Sequence, residues 1–163
     1  MKRVTRSAIV RHSADELYAL VEDIEAYPRF LPWCLGAEVH ERAPGATRAT
    51  LTVGMRGLRQ SFTTRNENRP GVAIEMRLVE GPFRRFAAAW HFKPLGDGAS
   101  RIEFTIAYEI AGRGPAKLLE PLFDRLAQRG MRGQAHGHGV VSARQRIDHF
   151  NRRRGHGLRR RAA

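Results

Sequence analysis

Residues 3–11 alternate, with Val4, Arg6, Ala8 and Val10 set against Thr5, Ser7, Ile9 and Arg11. This period of two predicts a first strand. The period then lengthens: Leu17, Leu20, Val21 and Ile24 recur at helical spacing and make one apolar face. Ser13-Ala14-Asp15-Glu16 precedes them as a capping box, in which the Ser13 hydroxyl can accept from the Glu16 amide and the Glu16 carboxylate can reach back. Asp15 and Glu16 also complement the positive end of the helix dipole. Tyr27-Pro28 ends this helix, because proline lacks an amide hydrogen and disfavours the α conformation in the residue before it.

From about residue 35 the period returns to two. Leu51, Val53 and Met55 share a face, and after a turn at Arg56-Gly57 so do Leu58, Gln60, Phe62 and Thr64. Asn68-Arg69-Pro70-Gly71 has turn chemistry and precedes a face of Val72, Ile74, Met76 and Leu78. Glu80-Gly81-Pro82 is the next turn, followed by Phe86, Ala88, Trp90 and Phe92 on one face. After Gly96-Asp97-Gly98 the last strand is the most regular, with Ile102, Phe104, Ile106, Tyr108 and Ile110 alternating against Glu103, Thr105, Ala107 and Glu109. Strict alternation with one polar face implies an antiparallel sheet whose other face is covered.

Gly112-Arg113-Gly114-Pro115 stops the sheet and starts a helix with Pro115 in its first turn. Leu118, Leu119, Leu122, Phe123 and Leu126 form its apolar stripe, and Pro121, read as interior, is expected to kink it. The order is strand, two short helices, about six antiparallel strands and a terminal helix. This is an α+β chain in which a curved antiparallel sheet closes over the terminal helix, since an apolar sheet face needs a cover.

One segment fits neither helix nor solvated loop. Tyr27-Pro28-Arg29-Phe30-Leu31-Pro32-Trp33-Cys34 sets three large aromatics within seven residues, bracketed by two prolines. It reads as a short interrupted helical piece held against something apolar. Either it lids the domain's own core or it walls a cavity for a hydrophobic ligand.

Length and composition add bounds. At 163 residues the chain suits one domain with a substantial core. A single cysteine, Cys34, forbids an internal disulfide and fits a reducing compartment. Met1–Arg6 runs straight into the alternating pattern, so no secretory leader is expected, and no apolar run is long enough to span a bilayer. A cytoplasmic protein, peripheral at most to the inner membrane, is therefore expected. The net charge of +13 is uneven: residues 1–128 carry 19 Lys and Arg against 15 Asp and Glu, a balance of +4, while residues 129–163 carry ten Arg against Asp148 alone, a balance of +9. The chain thus divides into a folded domain over 1–128 and a basic Gly/Arg/His-rich tail over 129–163, the natural partner for a polyanion.

Four motifs in order carry a family likeness: Tyr27 to Cys34, Phe62-Thr63-Thr64-Arg65-Asn66, Gly81-Pro82-Phe83-Arg84, and Trp90-His91-Phe92-Lys93-Pro94-Leu95. Over roughly residues 3 to 128 the chain resembles the coenzyme Q-binding START-like family, related to polyketide cyclases, which includes the bacterial RatA ribosome-association toxins. The resemblance implies a helix-grip fold of the START/Bet v 1 type. It also implies a cavity between sheet and terminal helix that holds ubiquinone or a related polyisoprenoid lipid. The departure is at the C-terminus, where Gly130, Gly133, Gly137 and Gly139 fall in ten residues at which the family continues its helix. Each glycine costs about 1 kcal/mol in a helix relative to alanine.

With that likeness, the candidate ligand-binding residues are Phe30 and Trp33 at the mouth and Leu122 and Phe123 on the helix. On the strands they are Val53, Met55, Phe62, Ile74, Met76, Phe86, Trp90, Phe104 and Tyr108. Methionine and aromatic side chains suit an adaptable apolar ligand, although the same residues also suit a packed core. Arg65, Arg84 and Arg85 are candidates for a polar headgroup or RNA phosphate, or for ordinary surface salt bridges. Arg152, Arg153 and Arg154 in the tail suit electrostatic attachment to ribosomal RNA or an anionic membrane. No aromatic ladder interleaves them, so DNA sequence recognition is not expected.

Chemistry has weaker support. Cys34 has apolar neighbours that raise a thiol pKa, and no adjacent base. Glu103 and Glu109 are six residues apart on one strand face, roughly 20 Å, too far for a carboxylate pair. The histidines His136, His138, His149 and His156 match no metal-site spacing. The expected function is non-enzymatic binding of a hydrophobic ligand in support of respiratory quinone function, with no required cofactor or metal. The alternative is a toxin that binds the large ribosomal subunit and blocks subunit joining, with a polyketide cyclase or dehydrase activity third.

Overall fold

The computed structural model describes residues 1–129 except Phe30, Arg56, Arg113, Pro115, Leu118 and Leu119, and of Met55 and residues 125–129 it describes the backbone. Strand β1 (Lys2–Val10) leads into helix α1 (Ala14–Glu22) and a 3₁₀ turn (Ile24–Arg29). Then follow β2 (Cys34–Ala43), β3 (Ala46–Met55), β4 (Leu58–Arg69), β5 (Ala73–Glu80), β6 (Phe83–Gly96), β7 (Ala99–Ile110) and helix α2 (Glu120–Arg129). All seven strands lie in one antiparallel sheet, in the order β1-β7-β6-β5-β4-β3-β2. Six of them follow one another as hairpins, and β1 closes the far edge against β7.

The alternation read from the sequence is the alternation of the sheet. One inward register row runs Thr47, Asn66, Met76, Ala88, Ile106, Val4 from β3 across to β1. Two clusters cover this inner face. The larger joins Val53, Phe62, Phe83, Ala88, Ile106 and Tyr108 of the sheet to Leu122 and Phe123 of α2. The other joins Ala14, Leu17 and Tyr18 of α1 to Ile74 and Phe92. The sheet therefore grips α2 at one end and α1 at the other.

The capping box is formed: the Glu16 amide donates to Ser13 Oγ at 3.1 Å and the Ser13 amide donates to Glu16 Oε2 at 3.2 Å. One helical expectation changes. The apolar face from Leu17 to Ile24 is not one helix, since α1 stops at Glu22 and the chain continues through Tyr27 and Pro28 as the 3₁₀ turn. A 3₁₀ path accommodates a proline that an α-helix interior would not. Pro121, expected to kink the terminal helix, is the second residue of α2 as described, and the start of that helix adjoins Leu118 and Leu119, which lie outside the described residues.

Candidate functional site

The 3₁₀ turn bridges over the inner face of the sheet and leaves a recess beneath it. Val21, Glu22, Ile24 and Tyr27 form its roof, and β3, β4 and β5 supply the floor with Thr47, Ala49, Leu51, Thr64, Asn66, Asn68, Ile74 and Met76. The recess is small: it offers about 30 Å³, room for a water or two and far below the roughly 300–1,000 Å³ of small-molecule sites, so a larger ligand would have to widen it. The Tyr27 hydroxyl donates to the Val21 carbonyl, tying the roof to the end of α1. Burial raises the Tyr27 pKa, so the phenol remains a neutral donor.

The floor is not uniformly apolar. Thr47, Thr64, Asn66 and Asn68 fall on the face that elsewhere carries Leu51, Phe62, Ile74 and Met76. Thr47, Asn66 and Thr64 retain 2, 3 and 7% exposure, so their polar atoms are removed from water. Thr64 Oγ1 donates to Asn66 Oδ1 at 2.8 Å, and Asn68 Nδ2 donates to Thr47 Oγ1 at 2.8 Å. Asn68 Oδ1 is buried and has no hydrogen-bond partner among the described residues. An unmet buried acceptor costs about 1–3 kcal/mol. Apolar walls with a short neutral hydrogen-bonding strip can hold a molecule that is largely hydrophobic but has one uncharged polar end.

The residues proposed from sequence divide between two places. Ile74 and Met76 line the recess. Val53, Phe62, Tyr108, Leu122 and Phe123 are buried against one another beneath α2, and Trp33, Phe86 and Phe104 pack on that cluster. Phe62 lies 5.5 Å from Phe83, 5.4 Å from Phe86 and 6.4 Å from Phe123, measured between ring centroids. Trp90 stacks on Phe104 at 4.5 Å. Arg65 is exposed on the outer face, Arg85 is exposed, and Arg84 lies 3.4 Å from the Glu109 carboxylate. Phe30, the Met55 side chain, Arg152, Arg153, Arg154 and the whole tail from Gly130 lie outside the described residues.

Sequence reasoning missed the roof residues Val21, Ile24 and Tyr27 and the four polar floor residues as members of one site. A signal for the floor was present. Thr64, Asn66 and Asn68 share the parity of Phe62, so three polar residues continue a face that begins apolar.

Two further groups bear on the site's chemistry. The Cys34 thiol is buried, burial pushes its pKa up, and its hydrogen goes to the Gly36 carbonyl at 3.4 Å. Tyr108 donates to Asp124 Oδ1 at 2.8 Å, and Lys2 Nζ lies 2.9 Å from the same oxygen. The Lys2 hydrogen bond is the main reason the Asp124 carboxyl sits below the usual range. Burial is the main reason the Tyr108 phenol is raised. Among the described residues, no helix is long and apolar enough to cross a membrane.

The family profile described as polyketide cyclase/dehydrase and lipid transport matches residues 10–133. The chain is 40% identical over 126 residues to ribosome association toxin RatA of Escherichia coli strain K12, covering 77% of each chain. It is 25% identical over 124 residues to the mitochondrial coenzyme Q-binding protein COQ10 of Drosophila melanogaster, covering 74% of this chain and 51% of that protein. Its fold superposes on a START superfamily protein from Mycobacterium smegmatis with a TM-score of 0.67 at 21% identity, covering 91% of this chain and 98% of the other.

Proposed function

Since the chain belongs to the polyketide cyclase/dehydrase and lipid-transport family, we propose that it binds a hydrophobic ligand with one uncharged polar end, without catalysing a reaction on it. The observation that carries this reading is the small recess under the 3₁₀ turn, lined by Val21, Ile24, Tyr27, Leu51, Ile74 and Met76, with the Glu22 carboxylate paired to Arg42 and a polar strip of buried Thr47, Thr64 and Asn66 and half-buried Asn68. Apolar burial at about 25 cal/mol per Å² supplies the affinity, and the strip sets which end of the ligand enters. Ubiquinone or a related polyisoprenoid has this chemistry, and the likeness to a coenzyme Q-binding protein supports the choice. On this reading the protein shields the quinone from water in the cytoplasm, next to the inner membrane, and supports respiration. The inert character of Cys34, buried with a raised pKa, supports binding rather than nucleophilic catalysis.

Organic extraction of natively purified protein followed by mass spectrometry tests this directly. A near-stoichiometric quinone or other isoprenoid is the expected result. A protein that comes out empty and takes up no added quinone would overturn the reading.

A second reading is ribosome association, favoured by the RatA relative and by the net charge of +13. Salt-sensitive co-sedimentation with large ribosomal subunits tests it. The two readings are compatible, because the recess is on the inner face of the sheet and a polyanion would meet the outer face or the tail.

A further inference from the structure

One outward-facing register row crosses the sheet from β1 to β3. Arg3 is opposite Ala107, Ala107 opposite Ala87, Ala87 opposite Arg77, Arg77 opposite Arg65, and Arg65 opposite Arg48. Three arginines are thus direct cross-strand neighbours on β3, β4 and β5. With strands about 4.8 Å apart, their backbone positions span only about 10 Å. Like charges directly opposite destabilise a sheet.

Carboxylates stand close by, with Glu41 of β2 opposite Arg48 and Glu67 and Glu75 in the adjacent row, yet none of them pairs with these three arginines among the described residues. Arg48, Arg65 and Arg77 are all exposed, and none takes part in an ion pair or side-chain hydrogen bond among the described residues. Other arginines of the chain do find carboxylates: Arg69 lies 2.8 Å from Glu75 and Arg42 lies 2.8 Å from Glu22. The row therefore has the composition of a binding surface rather than of a stabilising one.

Its shape selects the kind of anion. Glu67 and Glu75 face each other in the outward row on one side. On the other side the row runs from Glu38 through Thr50 and Thr63 to Glu80. The positive charge is a line between two acidic margins, not a plane. A flat anionic surface such as a membrane would meet the margins as well, whereas a single polyanionic strand laid from Arg3 to Arg48, short of Glu41 on β2, meets guanidinium groups as its only charged side chains. Their planar forks match phosphate oxygens, and Ala87 and Ala107 keep the path towards Arg3 clear of bulky side chains.

We infer that the outer face of the sheet binds the phosphate backbone of an RNA strand along Arg48, Arg65 and Arg77, without reading its bases. This rests on the ribosome-association reading for the source of the RNA, and on the register for the place.

Fluorescence anisotropy with labelled 20-nucleotide RNAs of two unrelated sequences, using the full chain, tests the inference. The triple variant Arg48→Gln/Arg65→Gln/Arg77→Gln is compared with Arg11→Gln/Lys93→Gln/Arg101→Gln, which removes the same charge elsewhere. Loss of three phosphate contacts reduces the slope of log affinity against log salt by about 2. We expect that change for both RNAs, at least tenfold weaker binding, and less than twofold change in the control. A thermal melt of the triple variant is expected to match or exceed wild type, since the substitutions relieve repulsion, and so confirms a folded protein. Wild-type affinity in the triple variant, equal loss in the control, or arginine-dependent binding to anionic phosphatidylglycerol vesicles in place of RNA would each overturn the inference. Large-subunit co-sedimentation in parallel separates the two claims. If the triple variant still sediments like wild type, the row is wrong and ribosome association stands. If wild type never sediments, ribosome association falls and the oligonucleotide result still judges the row.

Discussion

Asn68 Oδ1 is the polar atom on the recess floor that the fold leaves without a partner, and it is one atom of a strip whose other bonds are made. Replacing a bonded pair by apolar groups of similar shape is nearly neutral for stability, whereas removing one partner is not. The double variant Thr64→Val/Asn66→Leu should therefore melt within about 1 kcal/mol of wild type, and Asn66→Leu alone should be the less stable of the two. Differential scanning calorimetry of the set checks the order. Gly81 makes a separate demand. Its φ is +152°, and a Cβ there would come within 2.5 Å of Phe62 Cβ. The glycine of Gly81-Pro82-Phe83 thus lets the β5–β6 turn lie directly on Phe62 at the centre of the aromatic cluster. Gly81→Ala should destabilise the fold by about 1–3 kcal/mol, read from a urea melt with unchanged m-value. A loss below a few tenths would show that the turn yields freely.

Helix α2 is docked by its apolar residues Leu122 and Phe123 and by Asp124, whose carboxylate meets Lys2 of β1 and Tyr108 of β7. The Asp124 pKa is lower folded than unfolded, so its contribution is present above the ordinary carboxylate range and is lost as pH falls through the folded value. Asp124→Asn should lower the melting temperature by about 1–3 °C at pH 7, with the difference from wild type narrowing towards pH 2. A constant difference across that range would contradict the linkage. At this scale the sequence was informative wherever one residue determines local geometry. The alternation of Ile102 to Ile110 became β7, and Ser13 with Glu16 became the cap. Leu17 to Ile24 misled, because apolar spacing alone does not register that the chain turns at Asp23.

For the whole molecule, the α+β architecture was legible because strict alternation over successive strands admits little else, and the family likeness then specified the helix grip. The recess was not. Its roof comes from residues 21–27 and its floor from 47–76, and only the tertiary path of the 3₁₀ turn places them together. Of the strand positions proposed as lining, Phe62, Met76, Phe86, Trp90, Phe104 and Tyr108 fall on the inner face, but periodicity cannot separate a side chain that meets α2 from one that meets open space. Phe62 and Met76 share a face and both meet the cluster under α2, but only Met76 also lines the recess. Charge also acts at this scale, since the inner face offers a neutral polar strip and the outer face a line of arginine, so the ligand and the RNA proposed for them would not compete for one surface. The most direct measurement of ligand binding in the recess is isothermal titration of a water-soluble short-chain ubiquinone into wild type and into Thr64→Val/Asn66→Leu. Binding at one site per chain, weakened at least tenfold in the double variant with its fold intact, is the result expected. No heat of binding to wild type, or equal affinity in the two proteins, would contradict it.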